Sequence, residues 1–185
     1  MYSCAAGNLS TLLVVKTSAN AVVGAYASSE WAPQEGYFGD DECFVFNFSG
    51  AGDGSTLSTF RGNSGANSFF QLANADSLAM GGGGNCALML DCEGFGGTTG
   101  ACDTFQSPPL VPGAPASAYG QAMAAQTSTT VSKKVLQRIS EETDFQCSNI
   151  EIWGFVPATS NPLARSQDAE VVASLVVQKP DFGVV

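Results

Sequence analysis

The residues of this chain whose types suit chemistry are two thiols and a few carboxylates. Cys92 and Cys102 bracket a glycine-rich stretch, 92–105, that reads as a long surface loop. An exposed thiol there could scavenge oxidants if a nearby cation or a helix N-terminus lowered its pKa. Instead, Glu93 and Asp103 stand directly beside the two cysteines, and no basic residue lies close in sequence. Thiol chemistry therefore ranks below a binding role. Asp91, Asp103 and Glu151 could supply a carboxylate pair for hydrolysis, because two acids can divide the acid and base roles. Nothing in their spacing brings them together.

Histidine is absent from the whole sequence. That removes Ser-His-Asp and Cys-His nucleophile arrangements, His-ligated zinc and the usual base near neutral pH. No catalytic constellation emerges, and the chain reads as a non-enzyme without a cofactor or a metal. The run Asp40-Asp41-Glu42 could attract a hard cation, but it lacks the spaced ligands and closing glutamate of a calcium loop. A solvated turn is the better reading.

Gly81, Gly82, Gly83 and Gly84, followed by Asn85, are the other chemical candidate. A glycine run can cradle phosphate, yet no Gly-Lys-Ser/Thr follows, and the next residues alternate as a strand does. Cys86, Leu88 and Leu90 point one way; Ala87, Met89 and Asp91 point the other. Apolar residues on both sides of the glycines make a hairpin, its turn built from residues that take positive φ freely.

Composition bounds the partners. The chain has 185 residues, enough for one domain with its own core, and 7 basic against 17 acidic residues give a net charge of −10. That field repels nucleic acid and anionic lipid, so a charged partner should be basic. The apolar runs fall far short of the roughly 20 residues of a membrane span. Met1-Tyr2-Ser3-Cys4 lacks the pattern of a secretory signal. Six cysteines without a CxxC pair read as reduced thiols. The expected location is intracellular, in the cytoplasm or on an organelle, without membrane insertion.

The elements that must position these residues are mostly strands. Residues 11–17 and 21–27 make a hairpin, with Gly24 marking a bulge or a close approach by another backbone. Trp31 reads as a core plug. Phe44, Phe46 and Phe48 share one face at period two, which predicts half of a packed interior. Shorter strands are expected at 58–61 and 69–72. Helical spacing of Val131, Val135, Leu136 and Ile139 predicts an amphipathic helix over 131–143. In 150–156, Ile150 and Ile152 face one side while Glu151, Trp153 and Phe155 face the other. A carboxylate between aromatics needs a partner, either backbone or arginine. Residues 168–177 look weakly helical.

The order of these features resembles the TLDc domain of the oxidation-resistance proteins. The residues that carry it are Gly24-Ala25-Tyr26 with Trp31, Tyr37-Phe38-Gly39, Phe44-Val45-Phe46, and Leu78 before the glycine run. They continue with Leu88-Met89-Leu90-Asp91, Cys102-Asp103-Thr104-Phe105 and Ile150-Glu151-Ile152-Trp153-Gly154. The resemblance implies a mainly β fold with minor helix, a sandwich of two antiparallel sheets with helices at its margins. It implies a domain over 1–157 and a C-terminal tail over 158–185. It also implies a role in oxidative stress, and for several relatives an interaction that regulates the vacuolar-type proton-pumping ATPase. Two departures stand out: a stretch at about 107–143 longer than the family usually carries, and a start that resembles the family's opening helix cut short.

The function that follows is a protein-binding module acting on a large assembly, with a thiol antioxidant or a structural subunit as alternatives. Residues 107–130 form a polar tract that cannot order itself, and 161–185 offer at most a marginal helix. Both are expected to rest on partner subunits, with Val171, Val172, Leu175 and Val176 as the tail's apolar contact.

Overall fold

The computed structural model describes residues 10–50, 54–62, 65–91, 93, 96–112, 143–155 and, by backbone, 173–178. The strands are β1 Ser10–Thr17, β2 Val22–Ala27, β3 Phe44–Ser49, β4 Thr56–Arg61, β5 Gln71–Ala73 and β6 Ser77–Met80. They continue with β7 Leu88–Asp91, β8 Gly96–Thr99, β9 Thr143–Phe155 and β10 Ala173–Gln178. All pair antiparallel in the order β4-β3-β2-β1-β9-β8-β7-β6-β5, with β10 added to β9. Among the described residues there is no α-helix, so the fold is mainly β.

The 13-residue β9 joins the sheet's two halves. Its first residues pair with β8, and the rest pair with β1 on one edge and β10 on the other. β1 shows why the chain is strand here. Thr11, Leu13, Val15 and Thr17 are buried, and the residues between them are half-buried or exposed. The turn into β2 is closed by Thr17, whose hydroxyl accepts the Ala21 amide at 3.1 Å. Asn20 takes φ of 64° there, a conformation its short polar side chain tolerates.

One apolar core draws on both halves. Leu13, Val15, Val23, Ala25 and Val45 meet Leu78, Met80, Leu88, Leu90, Phe145 and Ile152 in a single cluster. Each fully buried Leu or Val contributes about 1.5–3 kcal/mol. Polar contacts tie the halves as well. Thr99 Oγ1 donates to Ala87 O at 2.6 Å and accepts Leu110 N at 2.8 Å; Asn47 Nδ2 then donates to Leu110 O at 3.0 Å. The terminal strand β5 meets the segment before β3 through a bridge between Phe38 and Gln71. Trp31 is 3% exposed and donates from Nε1 to Thr11 Oγ1, a core plug as expected.

Three expectations change, and a fourth lies outside the described residues. The stretch 92–105 is not loop throughout, because Gly96–Thr99 form β8 between β7 and β9. Residues 173–177, expected as part of a helix, lie in β10, whose Val, Ser and Leu content suits a strand once β9 offers it an edge. The helix expected at 131–143 falls on residues outside those described, except Thr143, which opens β9. Finally, the three phenylalanines of β3 do not face the core. Val45 and Asn47 do, and the phenylalanines lie on the sheet's other face. Gly24 has no bulge: a side chain there would strike Leu13 O and the Phe46 ring, so glycine permits close packing of β1, β2 and β3.

Candidate interaction face

The glycine turn between β6 and β7 is consumed by its own fold. Gly81 and Gly83 each have φ of 84°, where a side chain would be strained. Gly81 N donates to Phe70 O at 2.9 Å, and Gly82 N donates to Thr104 Oγ1 at 2.9 Å. Thr104 Oγ1 also lies 2.8 Å from Asn67 Oδ1. A Cβ on Gly83 would approach Asn67 and Asp103, and Gly84 has φ of 147°. These amides serve the turn, and the phosphate reading has no support in them.

Cys102, expected on the surface, is 3% exposed and donates from Sγ to Gly82 O at 3.4 Å. It is buried because its loop folds back under the glycine turn, held by paired Cys102–Ser107 backbone bonds. Cys92 lies outside the described residues. Cys43, Cys86, Cys102 and Cys147 are all free thiols. Burial pushes the Cys43 thiol up, against hydrogen bonds from Ser28. Burial, aided by the Asp91 carboxylate, pushes Cys147 up to about 12. Neither environment favours a thiolate. Among the described residues no group of three metal-ligating side chains converges. Asp91 Oδ2 accepts the Gly96 amide at 2.8 Å, a tie between β7 and β8, whereas Glu151 makes other contacts.

Glu151 is half-buried and bonded by side chains on its own strand. Asn149 Nδ2 donates to Oε1 at 3.0 Å, and Trp153 Nε1 donates to Oε2 at 3.3 Å. The expected backbone or arginine partner is replaced by neighbours two residues away, because positions i and i±2 share one face of a strand. That face matters. Trp153 stands opposite Leu12 of β1, Leu12 opposite Tyr26 of β2, and Tyr26 opposite Phe44 of β3. On the far side of β9, Trp153 is paired with Leu175 and Ile152 with Val176. Val171 and Val172 lie outside the described residues.

These registers produce an aromatic row across the outer face of β9, β1, β2, β3 and β4. Phe155 meets Tyr26 edge-on at 6.0 Å, and Tyr26 stacks on Phe44 at 5.3 Å. Phe44, Phe46 and Phe48 follow at 6.4 and 6.2 Å, and Arg61 of β4 caps the Phe44 ring at 5.5 Å. Phe46 is shielded by its neighbours, but Phe48 is 39% exposed and Leu57, opposite it on β4, is 51% exposed. Single exposed apolar residues are ordinary; Phe48 and Leu57 instead stand side by side at the end of this row. Sequence reasoning found Glu151 and Trp153 but missed Tyr26, Phe48 and Leu57. The period-two signal was present, but it states only which residues share a face; the face with Val45 and Asn47 is the less apolar one, yet it turns inward. A second exposed pair, Tyr37 and Phe69, stacks at 4.6 Å beside Gly82.

Residues 1–156 match the TLDc domain family. The chain belongs to the TLDc family. Oxidation resistance protein 1 of Bos taurus is 33% identical over 145 residues, covering 78% of this chain and 13% of that protein. Nuclear receptor coactivator 7 of Mus musculus is 35% identical over 97 residues, 52% of this chain and 10% of that protein. The GTPase-activating protein skywalker of Drosophila melanogaster is 32% identical over 114 residues, 55% of this chain and 19% of that protein. The TLDc chain thus spans a small part of these relatives' length. Among the described residues, no helix of the TLDc chain is long and apolar enough to cross a membrane.

Proposed function

We propose that this TLDc chain is a non-enzymatic protein-binding module that works by docking its outer aromatic face on a large assembly. The observation that carries this is the row from Phe155 to Phe48, continued by exposed Leu57. Such a row costs solubility unless a partner covers it, and aromatic residues with an arginine are the types that dominate binding energy. The buried thiols Cys43 and Cys102 and the raised pKa of Cys147 support binding over thiol catalysis. The net charge of −10 favours a partner surface with basic groups.

The assembly to which the family resemblance points is the vacuolar-type proton-pumping ATPase, with a role in the response to oxidative stress. The fold reading that goes with it is a sandwich: a domain over 1–157 whose two half-sheets close face to face on the shared core. The test is binding of the purified chain to the purified soluble sector of that ATPase. Phe48→Asp and Leu57→Asp should each weaken binding by about tenfold or more, as for a central apolar anchor. Equal affinity for wild type and both variants would remove the outer face from the interaction. No binding by the wild type would exclude this assembly as the partner.

A further inference from the structure

The two ends of the sheet are finished differently. At one end, β5 is three residues long and its outer side is occupied: Phe38 and Gln71 exchange backbone hydrogen bonds at 2.9 Å, and Gln34 N donates to Ala73 O. At the other end, β4 is six residues long, reads Thr-Leu-Ser-Thr-Phe-Arg, and pairs with β3 in unbroken register. Among the described residues no backbone group bonds its other side. Proteins usually blunt such an edge with proline, a bulge, inward charges or a covering loop. β4 has no proline, no bulge and only Arg61, at its end, as a charge.

The phase of the ladder shows which groups point outward. Gly62 N donates to Cys43 O at 3.1 Å, so that pair is a hydrogen-bonded one. Antiparallel pairs alternate between bonded and non-bonded. Phe60 and Ser58 therefore bond to Val45 and Asn47, while Leu57, Thr59 and Arg61 direct their N–H and C=O groups away from the sheet. These three residues also carry their side chains on the outer aromatic face, beside Phe48, Phe46 and Phe44.

We propose that β4 is a docking edge that accepts an extended segment of a partner protein as an additional strand. This rests on the reading of the chain as a protein-binding module and specifies how it binds. The segment's alternate side chains fall on the outer face next to Leu57, Thr59 and Arg61. The residue beside Leu57 is apolar or aromatic, because it completes a surface with Leu57 and Phe48. At the other end the segment's neighbour is Arg61, so the residue there is acidic or polar, while the net charge of −10 favours basic residues elsewhere in the segment. A second copy of this chain is a poor occupant, since each copy brings a net charge of −10.

The experiment selects binders to the wild-type chain from a library of random extended octapeptides and measures their affinity by fluorescence anisotropy. Selected peptides should alternate apolar and polar positions, avoid Lys and Arg beside Arg61 and carry a net positive charge. Thr59→Pro deletes the central outward donor without removing a β3 bond, and should weaken them by about tenfold or more. Circular dichroism checks that this variant folds. N-methylation of alternate peptide amides, which leaves the protein untouched, should weaken binding equally. No selected peptide, or peptides indifferent to N-methylation, would overturn the proposal. A dimer in sedimentation that Thr59→Pro dissolves would also overturn it, assigning the edge to a second copy. Binding to the ATPase sector lost in Phe48→Asp but kept in Thr59→Pro would leave the face reading standing and remove the edge. Peptide binding at the edge without ATPase binding would do the reverse.

Discussion

The two faces of β3 carry opposite jobs with very different side chains. Inward, Val45 is fully buried and Asn47 is 8% exposed, holding Leu110 through its amide. Outward, Phe44, Phe46 and Phe48 form a row of tilted and edge-on rings that ends in an exposed one. Small residues pack the interior, and large rings lie outside. The reason is space. The shared core cluster already holds Leu78, Met80, Leu88 and Leu90 beside Val45, and a close-packed interior takes only side chains of fitting volume. Hydrophobicity drives burial, but fit to the neighbouring strands decides which face of β3 is buried.

The difference between the two faces should show most strongly in the core. Leu90→Ala removes a fully buried side chain and should cost about 2–5 kcal/mol in a urea melt. Phe48→Ala deletes a larger ring but should cost under about 1 kcal/mol, since its site is half open to water. Similar losses for the two would mean the outer row is as much core as the inner one.

A polar contact in the interior comes next. Gln71 is fully buried; its Oε1 accepts Ser29 N at 3.0 Å and lies 3.4 Å from Cys43 Sγ, and its Nε2 donates to Ser29 O at 3.1 Å. Gln71→Leu would orphan both Ser29 backbone groups, and a loss of about 1–3 kcal/mol is expected. A neutral result would show that the loop at Ser29 finds water instead. Glu151→Ala on the outer face should cost less, about 0.5–1 kcal/mol, because half-buried Asn149 and Trp153 can turn to solvent. A loss above about 2 kcal/mol would place Glu151 among the interior contacts.

The smallest effect is a pH dependence. Burial, then Asp91, raises the folded pKa of Cys147 from 9.0 to about 12. Below pH 9 the thiol is protonated in both states and pH has no effect through it. Above that, the unfolded chain ionises first and the folded state does not, so stability should fall as pH rises from about 9 toward 12. Cys43 and Tyr37, also raised mainly by burial, push in the same direction. Cys147→Ala should flatten part of this slope in melts at pH 8 to 11. An unchanged slope would mean that Cys147 is not held neutral by the fold.

The sequence alone determined the β class, the first hairpin, the glycine turn and the family. Each rests on local signals: β-branched runs, residues that take positive φ, and an ordered set of short motifs spread over most of the chain. Burial of Trp31 was legible too, since a lone indole before a proline loop has few other places to go. What required tertiary structure was every choice between two sides. The phenylalanine row went outward because Val45 joins the shared core and Asn47 holds Leu110 on the opposite face. Cys102 was hidden because its loop folds back onto Gly82. Residues 173–178 became strand because β9 presented an open edge for them to pair with. Glu151 found its donors on its own strand face, which local periodicity contains but only the exposed surroundings select. Period-two patterns state which residues share a face; the filling of space between faces decides which one meets water.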